Sequence, residues 1–308
     1  MEVFQQQICL LSSLPIYLFF IPLELLLSHF NHWHFYSWKE TLMNVYLNLV
    51  NAGVDLLLRG LALFVLLFFS GYSLDIHWHP VVYWLILFLC EDLMFWLEHF
   101  VDHHVRLFWA VHVTHHSSEE YNLTTGFRSS VLMPCYRYLY FIPLALLNFR
   151  PVDILFMYAI TQIYGILVHT QAVKKVPAWL GFFLVTPAHH RVHHASNIPY
   201  LDKNMGMVLI IWDRIFGTFA DEIPGEEIRY GLTKALDNPY HPTHIIFHEW
   251  QALGRDLKKS RSWKDKLRYL FLPPGWSHDG SSQTAKELRR SARDVSPERH
   301  IGDTEGQQ

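Results

Sequence analysis

Residues 99–116 read His-Phe-Val-Asp-His-His-Val-Arg-Leu-Phe-Trp-Ala-Val-His-Val-Thr-His-His. Within them His99 and His103 are spaced HxxxH, and His112, His115 and His116 are spaced HxxHH. A second HxxHH falls at His190, His193 and His194, with His189 just before it. On a helix, positions i, i+3 and i+4 share a face, so each motif turns its imidazoles one way. Imidazole is a borderline ligand suited to iron, zinc, copper and nickel. These eight rings exceed the four ligands of a tetrahedral zinc and suit two ions sharing a pocket. Without metal, so many crowded rings would repel one another when protonated and cost desolvation energy when buried. Chance clustering of surface histidines is the bland alternative, but it does not account for one spacing recurring in a chain built of apolar runs.

The elements that must position these rings are apolar. The chain has 308 residues, 51% of them hydrophobic and 16% aromatic, with 21 histidines and a net charge of −3. That balance has no basic excess that would point to nucleic acid. The apolar residues fall in blocks long enough to cross a bilayer, at 8–27, 54–70, 80–98, 131–148 and 152–169. The first could be read as a signal peptide, but Met-Glu-Val-Phe-Gln-Gln-Gln lacks the basic start such a peptide wants, so a span is expected. The last two are joined by Asn148-Phe149-Arg150-Pro151, short enough for a tight hairpin. Trp33, Trp38, Trp78, His29, His32, His34, His77 and His79 flank the blocks and suit the headgroup zone. The shorter patch Trp179–Val185 reads as interfacial, and 207–219 as a helix lying against the metal core. Asp92 and Glu98 are expected to accept hydrogen bonds from ligand imidazoles.

The remaining signals are quieter. Cys9, Cys90 and Cys135 sit in separate apolar blocks and read as small hydrophobes, not as a disulfide framework. His241, His244 and His248 read as structural; an HExxH site starting at His248 would need histidine where Ala252 stands. From about Ser277 the chain is polar and is expected to be partly disordered.

The expected fold is an all-α integral membrane protein with about four to five transmembrane helices and a histidine-rich helical cap holding a di-metal centre. Residues 1–79 form N-terminal membrane helices, 80–250 the metal domain and 251–308 a polar tail. Both histidine clusters share one side if the third span exits there, the fourth leaves and the fifth returns. Lys39, Arg59, Arg106, Arg128, Lys174, Lys175 and Arg191 then lie on the metal side and Arg150 on the other, which makes the metal side cytoplasmic. A multi-pass protein of a bacterial inner membrane or the endoplasmic reticulum is expected.

HxxxH followed by two HxxHH motifs on such a chain resembles the fatty acid hydroxylase and sterol desaturase superfamily over residues 80–250. Trp109–Thr125, Thr186–His194, Leu209–Phe219, Tyr230-Gly-Leu and His241–Trp250 are most similar to its alkylglycerol monooxygenase-like branch. The resemblance implies a di-iron centre on the cytosolic face, held by His99, His103, His112, His115, His116, His190, His193 and His194. It adds His169 as a further histidine at a span end, and His189 as a possible member of the metal set. His104 stands where the branch has an acid, and the extra spans of the animal members are not seen in these residues. A membrane-bound non-haem di-iron oxygenase is expected, hydroxylating or desaturating an ether lipid, sterol or fatty acyl chain with O2. No G-x-G-x-x-G and no His-Pro-Gly-Gly is present, so electrons would come from outside, from a reduced pterin, a cytochrome or a ferredoxin. The alternatives are a histidine-rich membrane metal transporter, which would want polar ligands near the bilayer midplane, and a non-catalytic metal-binding membrane protein.

Overall fold

The computed structural model describes the backbone of residues 2–295 and the side chains of residues 14–292 and 294. Twelve α-helices are described: α1 (Glu2–Phe30), α2 (Trp38–Ser70), α3 (Pro80–His104), α4 (Arg106–His116), α5 (Ile142–Leu146), α6 (Pro151–Leu167), α7 (Ala178–Phe183), α8 (Pro187–His193), α9 (Ile211–Phe216), α10 (Pro242–Lys259), α11 (Trp263–Phe271) and α12 (Ala285–Val295). Among the described residues the only extended pairing is an isolated antiparallel bridge between Leu184 and Leu209.

Two of these helices, α2 and α3, are long and apolar enough to cross a membrane; α6 and residues 14–30 of α1 form shorter apolar helices. At about 1.5 Å per residue the 33 residues of α2 span roughly 50 Å, more than a bilayer core. The expected break before residue 54 is absent. Ser37 caps α2 by accepting from the Glu40 N–H, and the helix runs through Gly53 and Gly60 to its C-cap at Gly71 without a proline to stop it. Arg59 consequently lies well inside α2, paired with Asp55 at 2.6 Å, and not at the metal-side end where topology alone placed it.

The fourth apolar block is not a continuous helix. Residues 133–135 and 137–141 are 3-10 turns, followed by the single turn α5. Pro134 and Pro143 remove backbone donors and forbid a long ladder. The block still runs the length of the bundle. Asn51 Nδ2 meets the Ser130 carbonyl at one level, and the Leu74 N–H meets the Leu146 carbonyl at the other. Leu66, Leu87, Phe141, Leu144, Phe149 and Ile154 pack there into a common core of α2, α3, α5 and α6.

The segment expected as a polar tail carries α11 and α12 as far as residue 295; residues 296–308 lie outside the described residues. Of the cysteines, Cys90 and Cys135 are free thiols, and the Cys9 side chain lies outside the described set.

Candidate metal centre

Three helices and one helix end deliver the histidines. His99 and His103 lie one turn apart at the end of α3; α4 begins two residues later and carries His112, His115 and His116. Thr186 caps α8 by accepting from the His189 N–H, Pro187 sets its first turn, and His190 and His193 follow with His194 at the C-cap. His169 comes two residues after α6.

The rings gather into two groups. His99, His103, His112, His116 and His193 form one; His115, His169, His190 and His194 form the other. Within each group the available ring nitrogens lie within 4.8 Å of one another. The groups touch: the rings of His116 and His194 stack with centroids 4.5 Å apart. His99 and His193, distant in sequence, have centroids 4.4 Å apart.

The hydrogen-bonding pattern sets which ring nitrogens are free to bind. The Nδ1 atoms of His99, His115, His169 and His193 lie 2.8, 3.1, 2.7 and 3.0 Å from the carbonyl oxygens of Met205, Arg128, Gly165 and Lys203. A carbonyl only accepts, so each of these Nδ1 atoms carries the hydrogen and each Nε2 presents a bare lone pair. Those lone pairs converge. His169 Nε2 lies 2.9 Å from His190 Nε2 and 3.1 Å from His194 Nε2, and His99 Nε2 lies 3.1 Å from His112 Nε2. The buried Nε2 atoms of His103 and His193 have no hydrogen-bond partner. Burial and the neighbouring rings push His112, His116, His190 and His194 well below the usual histidine range, and burial takes His115 down to about 4. A buried set of neutral imidazoles with inward lone pairs fits metal ions of borderline softness.

Carboxylates support the rings, but not the ones expected. Asp92 accepts from the Val208 and Leu209 N–H groups and the Trp212 indole, and Glu98 from Arg137. Asp92 lies roughly 10 Å along the helix axis from His99 and so meets the segment before α9. The acids that face imidazoles are Asp202, 3.3 Å from His103 Nδ1, and Asp102, 3.6 Å from His112 Nδ1. Asp213 has a less direct role. It is fully buried and accepts from the N–H groups of Met205 and Gly206, ordering the loop whose Met205 carbonyl fixes His99. That loop displaces the start of the helix expected over 207–219, which begins only at Ile211. Gly206 is required there, because a Cβ would come within 2.6 Å of the Leu209 carbonyl oxygen.

The structure keeps His189 out of both groups. Its Nδ1 accepts from the Thr186 N–H at 3.3 Å and its Nε2 faces Asp221 at 3.6 Å, so it completes a capping box in the place of the usual Glu or Gln. His104 stacks on Phe100, and His77 and His79 are exposed.

Two cavities reach the histidines through different sets of lining residues. One of about 540 Å³ lies among α2, α3 and α6 and touches His99, His112, His115, His169 and His190. The other, about 650 Å³, lies under α10 and α12 and touches His103, His116, His193 and His194 beside Trp109.

This constellation is a helical, histidine-rich cluster able to hold metal ions, and the comparisons show what it is similar to. Residues 84–218 match the fatty acid hydroxylase family. Alkylglycerol monooxygenase of Homo sapiens is 37% identical over 206 residues, which cover 66% of this chain and 44% of that protein. The Xenopus tropicalis alkylglycerol monooxygenase is 31% identical over 250 residues, 78% of this chain and 55% of that protein. Lathosterol oxidase of Mus musculus is 28% identical over 137 residues, 43% of each chain. The chain spans about half the length of these curated relatives. No solved structure matches.

Proposed function

We infer that this protein is a membrane-bound non-haem di-iron oxygenase that hydroxylates a lipid with O2 and electrons from an external donor. One observation carries the reading. Two adjoining groups of inward-facing imidazoles border a cavity of about 540 Å³ that runs among α2, α3 and α6. The similarity to alkylglycerol monooxygenase and lathosterol oxidase supports the reaction class.

In this reading α2 and α3 cross the bilayer with α1, the 131–148 block and α6 beside them, about four to five crossings in all. The metal end faces the cytoplasm. His99, His103, His112, His116 and His193 hold one ion, and His115, His169, His190 and His194 the other. Iron bound there supplies O2 activation and the power to break an unactivated C–H bond. The chain supplies the rest. Backbone carbonyls and Asp202 hold His99, His115, His169, His193 and His103 in one tautomer, so these five rings need no reorientation when metal binds. Leu14, Phe95, Phe127, Leu155, Ile163 and Ile166 line the cavity and offer an apolar wall to a lipid chain.

Charge in the cavity bears on the substrate. Arg59 pairs with Asp55 and Arg137 with Glu98, so both guanidiniums are committed to carboxylates. Asn48, Asn51 and Gln162 line the same space with neutral polar groups. A lipid with an uncharged oxygen-bearing head, such as an ether lipid or sterol, fits this wall better than a phosphate. The cap-side cavity gives a soluble reductant, whether a reduced pterin, a cytochrome or a ferredoxin, a separate approach to the same histidines.

The test is product analysis after reconstitution with reductant under 18O2. Neutral lipids carrying one new 18O-labelled hydroxyl are expected. Label found only in water, with lipids unchanged, would refute the reading.

A further inference from the structure

α11 carries a stripe that nothing among the described residues covers. Trp263, Leu267 and Phe271, at i, i+4 and i+8, lie on one face and are 67, 44 and 55% exposed. The opposite face is anchored, with Tyr269 buried and its hydroxyl hydrogen-bonded to His278 Nδ1 at 2.7 Å. At 100° per residue, Lys266 flanks the stripe on one side and Lys264 and Arg268 on the other. All three cations are exposed. With Lys258, Lys259 and Arg261 just upstream, residues 256–268 hold six cations against two carboxylates, Asp256 and Asp265. Asp256 is itself engaged by Arg106 at 2.8 Å and Asp265 by Arg268 at 3.0 Å.

The fold fixes the level of this helix. The Arg106 N–H donates to the Leu272 carbonyl, pinning the end of α11 to the α3–α4 junction, where the long apolar helix α3 ends. Upstream, Ile245 and Ile246 of α10 share an apolar cluster with Leu47 of α2, Val131 and neighbouring α2 residues, and Lys39 lies over the Tyr240 ring. The α10–α11 pair is thus held beside the metal-side ends of α2 and α3, where a crossing helix leaves the hydrocarbon. An apolar stripe with lysines on both borders is the pattern of a helix lying in an interface, its cations reaching the headgroups.

We propose that α11 is a membrane-surface element whose Trp263–Leu267–Phe271 stripe enters the leaflet on the metal side and whose cations select anionic headgroups. The proposal rests on the reading of α2 and α3 as membrane spans and goes beyond it, because the family match ends before α11 begins. An anionic leaflet is the favoured occupant. The cations border the stripe on both sides, and the helix continues the apolar belt of α2 and α3 at its edge.

The experiment uses the full chain in lipid nanodiscs, with Cys9, Cys90 and Cys135 replaced by serine. A polarity-sensitive dye is attached singly at Leu267→Cys, Asp265→Cys or Leu57→Cys, and quenching by aqueous iodide is measured. Leu57, 84% exposed on α2, reports the bilayer itself. Expected are severalfold weaker quenching at 267 than at 265 in discs containing anionic lipid, a smaller difference in purely zwitterionic discs, and loss of the difference in Lys264→Glu/Lys266→Glu. Equal quenching at 267 and 265 in anionic discs, with 57 shielded, would overturn the proposal and leave the stripe to a protein partner. Protection at 267 that ignores lipid charge would overturn the anionic selection. Water access at 57 would instead overturn the membrane reading beneath it.

Discussion

Replacing Asp213 with alanine tests whether the centre depends on a residue that never touches it. Asp213 Oδ1 accepts from the Met205 N–H at 2.8 Å, the Thr218 hydroxyl at 2.5 Å and the Trp96 indole at 3.2 Å, while Oδ2 accepts from the Gly206 N–H at 2.8 Å. The substitution leaves four buried donors without an acceptor. Each hydrogen bond to a charged group contributes ~1.5–3 kcal/mol, which would put the set above ~6 kcal/mol. Burial raises the Asp213 pKa, so the native carboxylate already carries a desolvation cost that offsets part of the gain. A net loss of ~3–5 kcal/mol is expected, in line with other broken buried networks. At ~2–4 °C per kcal/mol for a chain of this size, the melting temperature should fall by about 10 °C. The Met205 carbonyl would no longer hold His99 Nδ1, so metal content should fall with it. Thermal melts and metal analysis of Asp213→Ala and Asp213→Asn, which keeps one acceptor oxygen, read both effects. A melting temperature within a degree of the parent and full metal content in Asp213→Ala would refute the reasoning.

Other outcomes follow from the same structure. His115→Ala should abolish lipid oxidation and lower iron content while membrane insertion, read by carbonate extraction, is unchanged. In metal-free protein, His115 is held at about 4 against an unfolded value near ~6.5, so below pH ~6.5 the unfolded chain binds the extra proton. Its contribution is therefore complete above that pH and lost toward pH 4, at up to ~1.4 kcal/mol per pH unit for each such ring. Melts of chelator-treated protein should be flat above pH 7 and fall steeply from pH 6.5 to 5. Arg128, fully buried, donates to Glu40 at 2.8 Å, to Asn44 at 3.0 Å and to the Thr114 carbonyl at 3.2 Å, tying α2 to α4. Arg128→Met should cost ~3–5 kcal/mol by stranding the Glu40 carboxylate, and Arg128→Met/Glu40→Gln should recover part of that loss in the same melts.

The histidines were legible because helical spacing is local. HxxxH and HxxHH put rings on one face whatever the tertiary fold, and a motif repeated far along the chain has to converge on the first to share an ion. His169 stands alone with no spacing partner and came only through the family resemblance. The supporting carboxylates were not legible. Asp92, Asp102, Asp202 and Asp213 look alike in sequence, and only packing decides that Asp202 meets His103 while Asp92 meets backbone at 208 and 209. His189 was misleading for a local reason: directly before an HxxHH it reads as one more ring, but Thr186-Pro-Ala-His189 is also a capping box. Long apolar runs identified α2 and α3, whereas the prolines at 134 and 143 mattered more than hydropathy in the 131–148 block. The α11 stripe was hidden by the polar residues around it.

The central claim is that two irons sit in the two histidine groups, and metal counting with iron spectroscopy tests it most directly. Protein purified from iron-replete cells should carry two irons per chain and, in Mössbauer spectra, show a coupled pair, with His193→Ala losing it. A single bound zinc, or iron that is mononuclear and unaffected by His193→Ala, would contradict the account.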